Sequence, residues 1–265
     1  SHSIAILDII YSIIGKERVE KMSVMDLWLL LQCAYAHDIG MPYTYDEAEG
    51  FWNAVKNLDN EFRRFLEGCI ETTSDKDARK AAEYIINLSS KIQVNDKNIW
   101  NPLNVCVDET IDHNWPVRVA RYNEYLLTEF CRKNHTKRSQ DFMESKANAI
   151  TYNSPYVLSA RFYRIIAACS MVHGENFEEV LKLDKEEWAR ESNFHPSFVA
   201  ALLRLGDLLD IDNNRFDYIT MQFYGRLPKI SELHKAKHDS ITHIAISDNK
   251  IEVRAHSDKL EVCKC

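Results

Sequence analysis

An apolar stretch from Met25 to Ala36 runs directly into His37-Asp38, and Gly40 and Pro42 stop it. The stretch reads as a helix that delivers an imidazole and a carboxylate side by side at its C-terminal end. Neighbours along a helix cannot both face one core, but at a helix end both can turn into a shared cleft. Neutral imidazole nitrogen and carboxylate oxygen together suit a divalent metal. The pair therefore constrains the chain twice, to a helical framework and to a cleft at the end of a helix.

Adjacent His and Asp occur by chance in many chains, so the weight falls on their surroundings. His2 precedes the apolar run Ile4-Ala5-Ile6-Leu7, His135 follows Arg132-Lys133-Asn134, and His173 follows Met171-Val172. Asp207 lies inside the run Leu202 to Leu209. Each sits at the edge of, or within, an apolar helical stretch. A carboxylate there is costly to bury unless a cation or hydrogen bonds compensate it. In a purely structural reading Arg204 or Arg215 would do so. The order His, His-Asp, His, His, Asp favours a ligand set.

On these residues the chain resembles the HD superfamily of metal-dependent phosphohydrolases, helical proteins named for that dipeptide. The resemblance spans Ser1 to about Asp212. It implies that His2, His37, Asp38 and Asp207 hold a first metal, and that Asp38 bridges to a second one held also by His135 and His173. Asp38, His135 and His173 are then the catalytic group, with one or two divalent ions (Mn, Fe, Zn, Ni or Mg) as cofactor. Arg132-x-x-His135, Leu205-Gly206-Asp207 and a terminal hairpin are similar to HD domains of larger prokaryotic proteins that also carry a GHKL-type ATPase module. Ser1 stands where an initiator Met would be, so other domains of a longer polypeptide are expected. Tyr43 to Phe130 is longer than the matching connection in minimal HD domains and is expected to cover or shape the site.

The expected fold is mainly α, a multi-helix HD-domain bundle with a small C-terminal β-hairpin. Only 7 Gly and 6 Pro in 265 residues leave little material for a turn-rich β fold. Helices are expected at Ser3–Ile14, from a Ser23 N-cap to the His-Asp pair, and at Asp46–Leu58, Asn60–Thr72 and Asp75–Ile92. Gln93 to Asn104 reads as a loop. Helices follow at Val117–Arg132, with a break at Asn134-His135, then at Ser139–Ala149, Tyr156–Met171 and from His195-Pro196 to Leu209. Residues 241–246 and 251–256 alternate around Ser247-Asp248-Asn249-Lys250, the pattern of a hairpin. The domain reading is a helical metal-binding domain over 1–217, with a helical insertion or lid at 43–130, and a C-terminal helix and hairpin over 218–265.

A net charge of −7 argues against a general nucleic-acid coating role and mildly favours a small nucleotide over a polymer. Around His135 the local charge is opposite, and Arg132, Lys137 and Arg138 are candidate phosphate clamps. Lys237 and His238 are further candidate substrate contacts. Asp210, Asp212 and Asp217 read as a solvated helix end. The seven cysteines contain no Cys-x-x-Cys pair and most lie in apolar context, which reads as buried free thiols in a reducing cytoplasm. No run approaches the ~20 apolar residues of a membrane span, and no phosphate-binding Gly-rich loop is present.

The expected activity is metal-dependent hydrolysis, as a phosphodiesterase or phosphomonoesterase, of a nucleotide, cyclic nucleotide or nucleic-acid phosphoester at a mono- or dinuclear His/Asp site. The alternative is a non-catalytic helical sensor or regulatory domain that keeps the metal shell and binds a nucleotide or a protein partner. An open coordination position separates the two readings.

Overall fold

Ser23 shows how locally the fold begins: its hydroxyl accepts the Asp26 N–H at 3.0 Å and starts the helix that ends at His37. The computed structural model describes residues 2–50, 60–71, 76–89, 92–94, 105–107, 115–149, 158–211, 229–247 and 250–257. In chain order, α1 (His2–Ile14) and the short α2 (Lys16–Val19) meet at Gly15, and α3 (Val24–Ala36) follows. Residues 45–50 are helical. Next come α4 (Asn60–Glu71), α5 (Lys76–Ser89), β1 (Ile92–Val94), β2 (Val105–Val107) and α6 (Trp115–Ala149). Then follow α7 (Ala160–Met171), α8 (Phe177–Val180), β3 (Glu187–Ala189), β4 (Ser192–Phe194) and α9 (Pro196–Leu209). The last elements are α10 (Lys229–Ser240), β5 (Ile241–Ser247) and β6 (Lys250–Ala255). The chain is mainly α; its described strands form antiparallel pairs β1–β2, β3–β4 and β5–β6.

The chain divides into two compact units. The first comprises Ser1–Met41, Asn134–Leu227 and Ser231–Cys265. Here α1, α3, α7 and α9 pack on one another, α3 also meets β4, and α1 meets β5. Their inner faces, including Ile6, Ile10, Leu29, Cys33, Ile166, Cys169, Phe194, Val199 and Leu203, form one core. Fully burying a Leu, Ile or Phe side chain stabilises by about 1.5–3 kcal/mol, so this face holds the helix ends in register. Gly206 lets α9 approach α1 closely, since a Cβ there would lie 2.8 Å from Ile10 Cγ1 and 2.9 Å from Ile6 Cγ2. Asp26, 3% exposed, is satisfied by Ser23 and by His195, whose N–H donates to Oδ1 at 2.6 Å and whose Nδ1 lies 3.0 Å from Oδ2. That contact ties the start of α3 to the start of α9. The second unit comprises Pro42–Lys133 and Pro228–Ile230, and its core joins Leu66, Ala81, Ile85, Leu126 and Leu127.

Two expectations are corrected. The break at Asn134-His135 is absent, and α6 runs unbroken from Trp115 to Ala149. The reason is compositional: its one Pro, Pro116, sits in the first turn, no Gly follows, and Asn and His cost a helix only tenths of a kcal/mol each, roughly 0.7 at most. The expected loop at 93–104 begins in a strand, since residues 92–94 pair with 105–107. The helices expected over 46–58 and 156–171 are described only for 46–50 and 160–171; their remaining residues, with Phe51-Trp52, Trp100, His113, Asp212, Arg215 and Asp217, lie outside the described residues. Cys33, Cys69, Cys131 and Cys169 are buried.

Candidate metal centre

Five helical segments of the first unit bring six side chains together. His2 opens α1, His37 is the C-cap of α3 with Asp38 next to it, and His135 lies in α6. His173 follows α7 by two residues, and Asp207 sits in the last turn of α9. His2 Nε2 lies 3.2 Å from His37 Nε2, 3.2 Å from Asp207 Oδ1 and 3.6 Å from Asp38 Oδ2. His37 Nε2 is 3.4 Å from the same Asp38 oxygen and 3.9 Å from Asp207 Oδ1. The other Asp38 oxygen faces His135 Nε2 at 3.6 Å and His173 Nε2 at 3.9 Å, and those two nitrogens are 3.1 Å apart.

Two ligands each about 2.0–2.2 Å from one ion, at octahedral to tetrahedral angles, are roughly 2.9–3.5 Å apart. Several of the separations above lie in that range. Three overlapping groups, His2-His37-Asp38, His37-His173-Asp207 and Asp38-His135-His173, each place their ligand atoms within 4.8 Å of one another and could hold a metal ion.

The hydrogen bonds on the far side of the rings fix what the cluster offers. His37 Nδ1 donates to Ala34 O at 3.0 Å, and His173 Nδ1 donates to Ser170 O. Carbonyl oxygens only accept, so both protons sit on Nδ1 and both Nε2 atoms turn lone pairs inward. His2 Nδ1 lies 2.5 Å from Asp210 Oδ2, which likewise leaves His2 Nε2 facing His37. In the neutral rings two lone pairs converge on one point, an arrangement that a proton or a divalent cation resolves.

Without a cation, protons take its place in the cluster, so the carboxylates feel hydrogen bonds and positive charge from the protonated rings. Burial alone would raise the Asp38 carboxyl, but the hydrogen bond and charge of His37, with the charges of His173 and His135, outweigh it and hold the group at about 2. Burial works upward on Asp207 as well, and its bond to His2 with the charges of His37 and His173 brings it below the usual carboxylate range against the repulsion of Asp38. Burial pushes the His173 imidazole below the usual histidine range, and His37 adds to it, against the Ser170 carbonyl and the two carboxylates. Ionised carboxylates and a neutral imidazole are the ligand forms.

Ser139 and Gly40 hold the turn that carries the pair, and no feature of the sequence marks Ser139. Buried Ser139 Oγ donates to His37 O at 2.6 Å and accepts the Gly40 N–H at 2.9 Å. A Cβ at Gly40 would fall against His135 O and within 2.6 Å of Ser139 N, so the glycine permits the contact of this turn with α6. Arg204 does not serve Asp207; its guanidinium donates to Val172 O at 3.2 Å, to His173 O at 2.9 Å and to Glu175 O, fixing the segment around His173. Asp210 is buried rather than solvated. Serine and arginine were not informative in sequence because their partners are backbone groups far along the chain.

The candidate phosphate contacts are not gathered in the same way. Lys137 Nζ pairs with Asp141 at 2.6 Å on an exposed helix face, and Arg138 Nε donates to Gly40 O at 2.7 Å. Arg132, in the second unit, pairs with Glu129. Lys237 and His238 lie in the last turn of α10, His238 buried and Lys237 half-buried.

The fold and the cluster together define a helical protein of the HD type with a set of His and Asp residues able to bind a metal. The model of the HD-CE family matches residues 1–264, and the chain belongs to that family. No curated protein and no solved structure matches it. No helix among the described residues is long and apolar enough to cross a membrane.

Proposed function

We propose that this protein is a metal-dependent phosphohydrolase, with one or two divalent ions held by His2, His37, Asp38, His135, His173 and Asp207. The observation that carries the reading is Asp38, whose Oδ2 faces His2 and His37 while Oδ1 faces His135 and His173. The donor set fits such ions, with inward Nε2 lone pairs and carboxylates held ionised. A divalent ion there supplies polarisation of a water molecule and of a phosphoryl oxygen. A carboxyl held at about 2 is a weak base near neutral pH, so Asp38 acts as ligand and orienting group rather than as proton acceptor. His173, kept neutral by burial, has Nε2 available to bind or to accept a proton. Membership of the HD-CE family supports the same class.

The substrate is a nucleotide, a cyclic nucleotide or a nucleic-acid phosphoester, and the net charge of −7 favours the small molecule. Arg138, Lys137, Lys237 and His238, all in the first unit, remain the proposed phosphate contacts. The protein works in the cytoplasm within a longer polypeptide of the kind that carries a GHKL-type ATPase module.

The test is a phosphoester screen with added divalent metal. Asp38→Ala should bring turnover below detection with the helical circular dichroism unchanged. Full turnover in that variant overturns the assignment. Metal binding without turnover of any nucleotide or phosphodiester would instead mark a regulatory domain.

A further inference from the structure

We infer that Asp210 is a positioning residue for His2, and that by orienting this imidazole it sets the affinity of the His2-His37-Asp38 group for a divalent cation. The inference rests on reading the cluster as a metal site. Asp210 is the C-cap of α9, and its N–H donates to Asp207 O at 3.2 Å. Its side chain is only 5% exposed and reaches His2 Nδ1 at 2.5 Å, across 208 positions of sequence. A carboxylate this buried is unfavourable without a hydrogen-bonding partner, and the imidazole N–H provides one. In return the contact fixes the rotation of the His2 ring, since a proton held on Nδ1 leaves Nε2 as the acceptor. That nitrogen then points at Asp207 Oδ1, His37 Nε2 and Asp38 Oδ2.

The partners of the other rings differ in kind. His37 and His173 donate to neutral carbonyls, those of Ala34 and Ser170, whereas His2 donates to a carboxylate. A carboxylate behind a ligating imidazole both orients it and makes it a better donor. Asp207 and Asp210 are three residues apart at the end of α9, so one helix end supplies a ligand and the group that aims a second ligand.

The test is a Co2+ titration of the full-length protein, read by visible absorption, in wild type, Asp210→Asn, His2→Ala and the double variant. Asp210→Asn should weaken Co2+ binding about 10–100-fold and change the visible band. In the His2→Ala background the same substitution should have no further effect, because Asp210 acts through His2. Wild-type affinity in Asp210→Asn overturns the proposal. So does an equal loss in both backgrounds, the mark of a role in folding alone. If Asp210→Asn does not fold by circular dichroism, the cycle is run with Asp210→Ser and the same two outcomes decide. A wild type that binds no Co2+ removes the metal-site reading itself, a different failure.

Discussion

At the scale of single residues, the ionisation of Asp38 decides what the cluster offers a cation. Its carboxyl is held at about 2 in the folded chain, whereas an unperturbed aspartate titrates near ~3.9. A depressed carboxyl adds stability that is complete above the unfolded value and lost as pH falls through the folded one. In metal-free protein, the stability of the wild type relative to Asp38→Asn should therefore decline from about pH 5 to about pH 2. Thermal melts across that range check it, and a constant difference contradicts the pairing of Asp38 with His37, His173 and His135. Of the site's residues, those that were legible in sequence are charged or ligating groups in apolar runs, where burial without a purpose is costly. Asp210 was not legible, because it lies past the apolar run and its partner His2 is at the other end of the chain. Ser139 was hidden for a related reason: it bonds to the backbone of His37 and Gly40, and backbone carries no sequence signal.

At the scale of elements, what matters is how closely helix ends approach one another. Ser139→Ala would leave the buried Gly40 N–H without that acceptor, at a cost of about 1–3 kcal/mol, and would loosen the turn that aims Asp38. Denaturant unfolding and metal affinity should both register it; no change in either contradicts the bridge. Gly206→Ala would push a methyl group into Ile6 and Ile10, and overpacking of this kind costs roughly 1–3 kcal/mol. Because the same helix turn carries Asp207, metal binding should weaken along with stability. The helices α1, α3, α7 and α9 were readable from apolar periodicity and from punctuation at Gly15, Ser23 and Pro196. The β3–β4 hairpin was not, because its turn is Arg190-Glu191, with Arg190 at φ 56°, in place of the Asn-Gly or Asp-Gly that announces such a turn. The continuous α6 shows the converse, since the polar run at Asn134-His135 looks like a break but holds neither the Gly nor the Pro that would impose one.

At the scale of the whole molecule, the first unit is interrupted in sequence, and the stretch between Met41 and Asn134 belongs to the second. His2, His37 and Asp38 thus come from one side of that interruption, and His135, His173 and Asp207 from the other. Divalent cations held by these six side chains would stabilise the folded chain over the unfolded one by an amount that grows with the logarithm of their concentration. Whether the cluster holds metal is settled by the metal content of protein purified without chelator, wild type beside Asp38→Ala. One or two equivalents of a divalent metal per chain are expected in the wild type, lost in Asp38→Ala while the helical signal persists. Wild type that holds no metal even after reconstitution, or an Asp38→Ala variant that holds as much as the wild type, would contradict it.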